Sequence, residues 1–146
     1  AGQGIGRETA LVLAQEGAVV CVSDINDSRG KETVEEICGR GGTGIYIHAD
    51  VGVPEEIKHL FRTAAERLGS VDILINNAGI DKIQLSTEVT KKDWDEIINT
   101  NLYGTFYITQ QITKNMIQRS INKYDYEKRR MYYKYIINMG NCWEFM

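Results

Sequence analysis

The run Val-Asp-Ile-Leu-Ile-Asn-Asn-Ala-Gly at positions 71–79 restricts the fold more than any other part of the sequence. Its apolar and β-branched residues predict a short buried strand, and the two amides with the final glycine predict a tight polar turn after it. In open α/β sheets, ligands bind just beyond the carboxyl ends of such strands. The sequence therefore predicts an α/β protein with a binding crevice at Asn76–Gly79.

Strand and helix patterns alternate along the chain before this run. Short apolar strands are predicted at 18–22 and 45–49. The most regular helical pattern begins at Pro54 and ends before Gly69, with apolar residues at intervals of three and four. Alternation of this kind is typical of a parallel sheet with right-handed crossovers, here a Rossmann-like, doubly wound sheet.

Composition excludes several classes of function. The 146 residues are 42% hydrophobic and 25% charged, and the formal net charge of −3 gives no reason to expect nucleic acid as a partner. No apolar run approaches the ~20 residues that span a bilayer, so no membrane association is expected. Cys21, Cys38 and Cys142 lack the spacing of a metal site. We expect reduced thiols, no metal and a cytoplasmic location.

A glycine cluster at the start of the chain and an acid after the first predicted strand indicate a dinucleotide site. The run Ala1–Gly6 leads directly into a helical pattern, as in turns that cradle a pyrophosphate. Asp24 follows the strand at the position where a ribose hydroxyl is held, although it could instead cap the next helix. No basic residue occupies Gln3 or Ile25 to bind a 2′-phosphate, so NAD is favoured over NADP.

Two further positions are candidates from their placement alone. Asp50 and Val51 follow the strand at 45–49, where the carboxylate could accept a hydrogen bond from an adenine amino group. Thr90 predicts the start of a long helix with apolar positions through Ile112. Asn101 lies on the apolar face of that helix, so its amide is either a satisfied core group or an active-site group.

Taken together, these residues resemble the short-chain dehydrogenase/reductase family. The turn at 1–6 is similar to the end of its Thr-Gly-x-x-x-Gly-Ile-Gly motif, and Asn76–Gly79 and Asn99–Gly104 match two more family elements in the correct order. The resemblance runs from Ala1 to about Met116. It implies a cofactor-binding set of Gln3, Gly4, Ile5, Gly6, Asp24, Ile25, Asp50, Val51, Asn77, Ala78 and Gly79.

The resemblance also implies a reaction. Members transfer a hydride between a nicotinamide and a ketone or secondary alcohol, which for this chain could be a 3-oxoacyl, sugar or steroid compound. Asn101 matches the catalytic asparagine, which in this family holds a water in a proton relay. The family's base is a tyrosine aided by a lysine, with a serine that orients the substrate. The intact protein is expected to be a homo-oligomer.

The chain departs from the family pattern at both ends. No strand precedes the glycine turn, and a central strand of the sheet is therefore expected to be missing along with the C-terminal third. We divide the chain into an NAD-binding segment at 1–118, an anomalous insertion or disordered segment at 119–135, and a truncated strand at 136–146. Asn141 stands at the usual serine position.

The catalytic tyrosine and lysine are absent from their expected place. Tyr124 and Lys128 have the Tyr-x-x-x-Lys spacing, but they precede the strand that they should follow. The sequence therefore predicts a fragment of an NAD-dependent oxidoreductase with little or no activity of its own. The alternative is a non-catalytic NAD-binding protein that serves regulation or association. A different Rossmann enzyme, such as a methyltransferase, is disfavoured by the Asn-Asn-Ala-Gly turn.

Overall fold

The computed structural model describes residues 1–122 and 135–138, with side chains described through residue 118. Helices and strands alternate along nearly all of this length. Their bounds are α1 Gly4–Gln15, β1 Val19–Asp24, α2 Asp27–Gly39, β2 Thr43–His48, α3 Pro54–Leu68, β3 Ile73–Asn76, α4 Lys91–Ile98, a π-helical turn Asn99–Gly104, α5 Thr105–Asn122 and β4 Tyr135–Asn138.

All strand pairing in the described residues is parallel. β1 pairs with β2 from Val19 opposite Thr43 onward, and β3 pairs with β4 from Ile73 opposite Tyr135 onward. Within these residues the strands form two separate two-stranded sheets, and no strand joins β1 to β3. The predicted parallel α/β architecture is confirmed.

Helices cover both faces of the strands, as a doubly wound fold requires. Successive strand residues point to opposite faces, and Val22, fully buried, faces the helices α1 and α2. Its neighbour Cys21 packs on the other side, against the larger core. That core joins α3 and α5 to β2 and β3 through Ile47, Ala49, Ile57, Leu60, Ala64, Leu74, Ile108, Ile112 and Met116.

Local sequence signals begin and end the helices as predicted. The backbone N–H of Arg29 donates to Asn26 Oδ1 at 3.1 Å, which makes Asn26 the N-cap of α2. Thr90 and Asp93 form a reciprocal capping box at the start of α4. Gly69 ends α3 with a φ of 77°, a left-handed conformation that glycine adopts without strain. None of the helices in the described residues is long and apolar enough to cross a membrane.

The long helix predicted from Thr90 onward is interrupted. The chain widens into a π-helical turn at Asn99–Gly104 before α5 resumes. An inserted residue of this kind barely changes the apolar periodicity, so the sequence pattern could not reveal it. α5 also extends to Asn122, past the boundary predicted at 118, and Tyr135 already belongs to β4. The rest of the predicted insertion lies outside the described residues.

Candidate functional site

The glycine turn leaves the start of α1 open to an anion. Gln3 has an extended backbone, and the first helical turn contains no acidic residue and no side-chain cap. The N–H groups of a helix's first turn have no acceptor within the helix, and they attract negative charge. Gly4 has a φ of 54°, and nothing lies within 4 Å of the place where a side chain would stand. The turn therefore has both free donors and room for a phosphate group.

Gly6 brings this turn into contact with the Asn-Asn-Ala-Gly turn. Gly6 is buried, and a Cβ placed on it would lie 2.5 Å from Nδ2 of Asn77. The side chain of Asn77 would have to move to make room for any residue larger than glycine at this position. Ala78 and Gly79 follow in exposed positions after β3. The structure thus brings together the two motifs that the sequence predicted to share one crevice.

Asp24 lies at the carboxyl end of β1, directly beside the glycine turn. Its Oδ2 accepts hydrogen bonds from Gly2 N at 2.7 Å and from the Ala1 nitrogen at 2.8 Å, while Oδ1 accepts one from Asn26 N at 2.9 Å. Partial burial acts to raise the pKa of Asp24, but the hydrogen bonds from Ala1, Asn26 and Gly2 outweigh it and hold the pKa below its usual value. Asp24 therefore stays ionised. The N-cap of α2 is Asn26 and not Asp24.

Arg29 is a residue of this site that the sequence reasoning missed. A Cβ on Gly2 would lie 2.6 Å from Cβ of Arg29, so the first turn of α2 packs directly on the glycine turn. The Arg29 guanidinium donates a hydrogen bond to Oε1 of Gln3. The contact spans 26 residues of sequence. The only signal in the sequence is a basic residue in the helical turn that follows the acidic strand end.

The turn after β2 packs against the π-helical turn. Asp50 Oδ1 accepts a hydrogen bond from Gly52 N at 2.7 Å, which fixes this turn in shape. A Cβ on Gly52 would lie 3.0 Å from Oγ1 of Thr100, and one on Gly104 would lie 2.9 Å from the carbonyl carbon of Val51 and closer still to its oxygen. The segment predicted to border adenine is therefore in contact with the segment that carries Asn101.

The amide of Asn101 forms a pair of hydrogen bonds with the backbone of Ile80. Its Oδ1 accepts a hydrogen bond from Ile80 N at 2.8 Å, and its Nδ2 donates one to Ile80 O at 2.9 Å. These two bonds fasten the turn after β3 to the π-helical turn. One N–H of Nδ2 and one lone pair of Oδ1 are not used by them, so the contacts are compatible with either of the two alternatives left by the sequence.

The remaining predicted residues lie at the rim of the site or outside the described residues. Ile5 and Ile25 are exposed beside the glycine turn and Asp24. Asn141, Tyr124 and Lys128 lie outside the described residues. Among the residues that are described, no group of three His, Cys, Asp or Glu side chains comes together to hold a metal.

Known families and curated relatives identify this arrangement. A short-chain dehydrogenase family model matches residues 1–122. The 3-oxoacyl-[acyl-carrier-protein] reductase FabG of Staphylococcus epidermidis is 38% identical over 120 residues, which cover 82% of this chain and 49% of the reductase. A (2S)-[(R)-hydroxy(phenyl)methyl]succinyl-CoA dehydrogenase subunit of Thauera aromatica is 35% identical over 115 residues, covering 79% of this chain and 46% of the subunit.

Solved structures give the same result. A 3-ketoacyl-ACP reductase from Sinorhizobium meliloti superposes with a TM-score of 0.78 at 34% identity, covering 82% of this chain and 47% of that one. A metagenomic short-chain oxidoreductase solved with NADP reaches a TM-score of 0.82 at 22% identity, covering 94% and 56%, and supports the fold alone. This chain spans about half the length of the relatives that it matches. The match over residues 1–122 and the identity to curated reductases show that the chain belongs to the short-chain dehydrogenase/reductase family.

Proposed function

We propose that this chain binds NAD(H) and forms the cofactor-binding part of an oxidoreductase that acts on secondary alcohols and ketones. The observation that carries the proposal is the position of the Asp24 carboxylate, 2.7 Å from the backbone of the glycine turn. An acid at this place accepts hydrogen bonds from a ribose diol and repels a 2′-phosphate. The preference for NAD over NADP rests on this charge.

The residues around Asp24 fit a bound dinucleotide. A carboxylate offers about four acceptor sites, and the bonds from Ala1, Gly2 and Asn26 leave one free for a ribose hydroxyl. The backbone N–H groups of Gly4, Ile5 and Gly6 bind the pyrophosphate at the start of α1. The nicotinamide supplies the hydride acceptor or donor when the cofactor is bound.

The two turns on either side complete the cradle. Asp50 and Val51 border the adenine, while Asn77, Ala78 and Gly79 line the cofactor beyond β3. Asn101 supports this second turn through its paired hydrogen bonds to Ile80. Its part in the reaction is therefore to fix the backbone beside the cofactor.

We further propose that the 146-residue chain alone has little or no turnover. The only Tyr-x-x-x-Lys spacing, Tyr124 with Lys128, precedes β4 in the sequence, whereas the family pattern places it after that strand. The best substrate class to try is a 3-oxoacyl thioester, because relatives that match this chain are 3-oxoacyl reductases. A non-catalytic NAD-binding role is the second candidate, since the contacts between Asp24 and the glycine turn could serve binding alone.

The experiment is a titration of the 146-residue chain with NADH, followed by an assay of NADH oxidation with a 3-oxoacyl thioester. We expect saturable binding without turnover, and a loss of about tenfold in affinity for Asp24→Ala because the ribose hydroxyl loses its charged acceptor. Asp95→Asn, on α4 and away from the glycine turn, is the matched control and leaves affinity unchanged. A folded chain that does not bind NADH contradicts the proposal, and rapid ketone reduction contradicts its catalytic part.

We also propose that the intact protein is a cytoplasmic homo-oligomer. Trp94, Leu102 and Phe106 expose 60%, 63% and 60% of their surface along α4, the π-helical turn and α5, which is a large apolar area for a monomer to leave in water. Cys21 and Cys38 are free thiols, as expected in a reducing compartment. Light scattering of the wild type and of Phe106→Ser tests the oligomer, since the variant would dissociate.

A further inference from the structure

We propose that Arg29 is a second determinant of cofactor choice, which binds the 2′-phosphate of a phosphorylated adenosine and opposes the exclusion of NADP by Asp24. The inference rests on the proposed dinucleotide site and adds a residue to it. Discrimination between the two cofactors would then be the balance of two opposite charges on the same turn. NAD would remain the preferred cofactor, with NADP bound measurably.

Arg29 lies beside the glycine turn. Asp24 bonds to the backbone of Gly2 from one side, and Arg29 packs on Gly2 from the first turn of α2. The Arg29 guanidinium then reaches the side chain of Gln3. Gln3 is the place where a cation in the sequence would bind a 2′-phosphate, and the sequence has none there. In space, Arg29 supplies that cation.

The charge of Arg29 also suits a phosphate. Other cations near the ends of α1 and α2 pair with acids, for example Arg7 with Glu36 and Lys31 with Asp27. Among the described residues, Arg29 forms no ion pair, and its polar partner is the neutral amide of Gln3. A guanidinium has five N–H donors in a planar fork, which suits bidentate binding of a phosphate. Arg29 is exposed, so its remaining donors are available to a ligand.

The alternative is that Arg29 is only a solvated helix residue. In that case its charge would be as dispensable to cofactor affinity as that of Lys31, two positions along the same helix. Lys31 faces the Tyr46 ring and Asp27 instead of the glycine turn, which makes Lys31→Gln the matched control. Arg29→Lys keeps the charge without the fork, and Arg29→Gln removes the charge while preserving helix propensity.

The test measures binding of two adenosine probes by calorimetry, adenosine 5′-monophosphate and adenosine 2′,5′-bisphosphate, with NADH as reference. Circular dichroism confirms that each variant is folded. We expect Arg29→Gln to weaken the bisphosphate about tenfold, with this difference shrinking in high salt, and to leave the monophosphate unchanged. Asp24→Asn should strengthen the bisphosphate, and the double variant should lose that gain.

Four outcomes would overturn the inference. Equal weakening of both probes by Arg29→Gln would mean a structural role, and no weakening of either would mean no role. An equal loss in Lys31→Gln would mean a general effect of charge. A folded wild type that binds neither NADH nor the monophosphate would overturn the proposed function and this inference together, whereas NADH binding without an effect of Arg29 would overturn the inference alone.

Discussion

Two regions of the molecule differ in how their side chains are covered. The glycine-turn region comprises Gly2–Gly6 and Asp24, and the second region comprises residues 80–118, after the Asn-Asn-Ala-Gly turn. In the first, Gly2, Gly6 and Asp24 meet neighbouring segments through close backbone contacts and charged hydrogen bonds. In the second, large apolar side chains are left in solvent, with Ile83 at 96% and Leu102 at 63% exposure. Ile5 in the glycine-turn region and Ile25 beside it are also exposed, by 55% and 61%, so the two regions differ more in their polar contacts than in apolar exposure.

The difference shows why cofactor recognition and catalysis are separable in this chain. The contacts that shape the cradle come from the described residues, and they converge on one turn at the start of α1. Asn101, the one catalytic candidate within that part, is used to hold Ile80 in place. We therefore expect cofactor recognition to depend on this turn, and the chemistry to depend on further groups.

The largest expected effect is at the contact between the π-helical turn of the second region and the turn after β2. Gly104→Ala would place a Cβ 2.9 Å from the carbonyl carbon of Val51, where the obstacle is backbone and cannot rotate away. We expect the free energy of unfolding to fall by about 3 kcal/mol, as for other overpacked sites. Urea denaturation measures it. Gly39→Ala is the control, because nothing lies within 4 Å of its Cβ position.

If Gly104→Ala is as stable as Gly39→Ala, the two turns do not pack as described. If folded Gly104→Ala binds NADH more weakly than the wild type does, the result would add information about the two regions. It would show that the turn at Asp50–Gly52 transmits the strain to the cofactor.

A smaller effect is expected at Asn101, within the second region alone. Asn101→Ala removes both partners of the Ile80 backbone groups, and we expect a loss of about 2 kcal/mol in unfolding free energy. Because Ile80 follows the Asn-Asn-Ala-Gly turn, affinity for NADH should fall, while affinity for adenosine 5′-monophosphate should not. Denaturation and calorimetry on the same preparation check this. Equal loss of affinity for both ligands would contradict the separation of the two regions.

The smallest effect is a decrease in the free energy of unfolding at low pH, to which Asp24 and Asp93 both contribute. Hydrogen bonds from Lys82 and Thr90 hold the pKa of Asp93 well below its ordinary value, and the pKa of Asp24 is also lowered. Each carboxylate binds a proton more readily unfolded than folded. Its contribution is therefore full above the ordinary carboxyl pKa of 3.8 and is lost as the pH falls below it.

Urea midpoints between about pH 2 and pH 7 would show this loss, and Asp24→Asn should flatten the curve on its acidic side. A midpoint that rises on acidification would contradict the ionised state of both groups. A curve unchanged by Asp24→Asn would assign the effect to other carboxylates, either Asp93 or Asp27, whose pKa is lowered by hydrogen bonds with His48 and Tyr46.

The elements and their order were predictable because their signals are local. Pro54 and Gly69 bound α3, and Thr90 with Asp93 starts α4, as the sequence indicates. The inward position of Asn101 also followed from spacing alone. Its partner did not, since the bond to Ile80 depends on how the π-helical turn directs the side chain.

Contacts between distant segments could not be predicted from the sequence. No basic residue stands at Gln3 or Ile25 in the sequence, but Arg29 reaches Gln3 from the following helix. The close approach of Gly104 to Val51 likewise depends on the packing of α5 against the turn after β2. The spacing of residues predicts which face of a helix or strand is buried and where the helix or strand ends. Contacts between distant segments depend on how the helices and strands pack in the folded protein.

The central claim is that cofactor recognition is confined to the glycine-turn region, the turn at Asp50 and Val51, and the Asn-Asn-Ala-Gly turn. The most direct test is to follow backbone amide resonances of the isotopically labelled chain by NMR during a titration with NADH. The account predicts shifts at Gly2–Gly6, Asp24, Asp50, Val51 and Asn77–Gly79, with Trp94 and Phe106 unchanged. Shifts confined to Trp94 and Phe106, or no shifts in a folded chain, would contradict it.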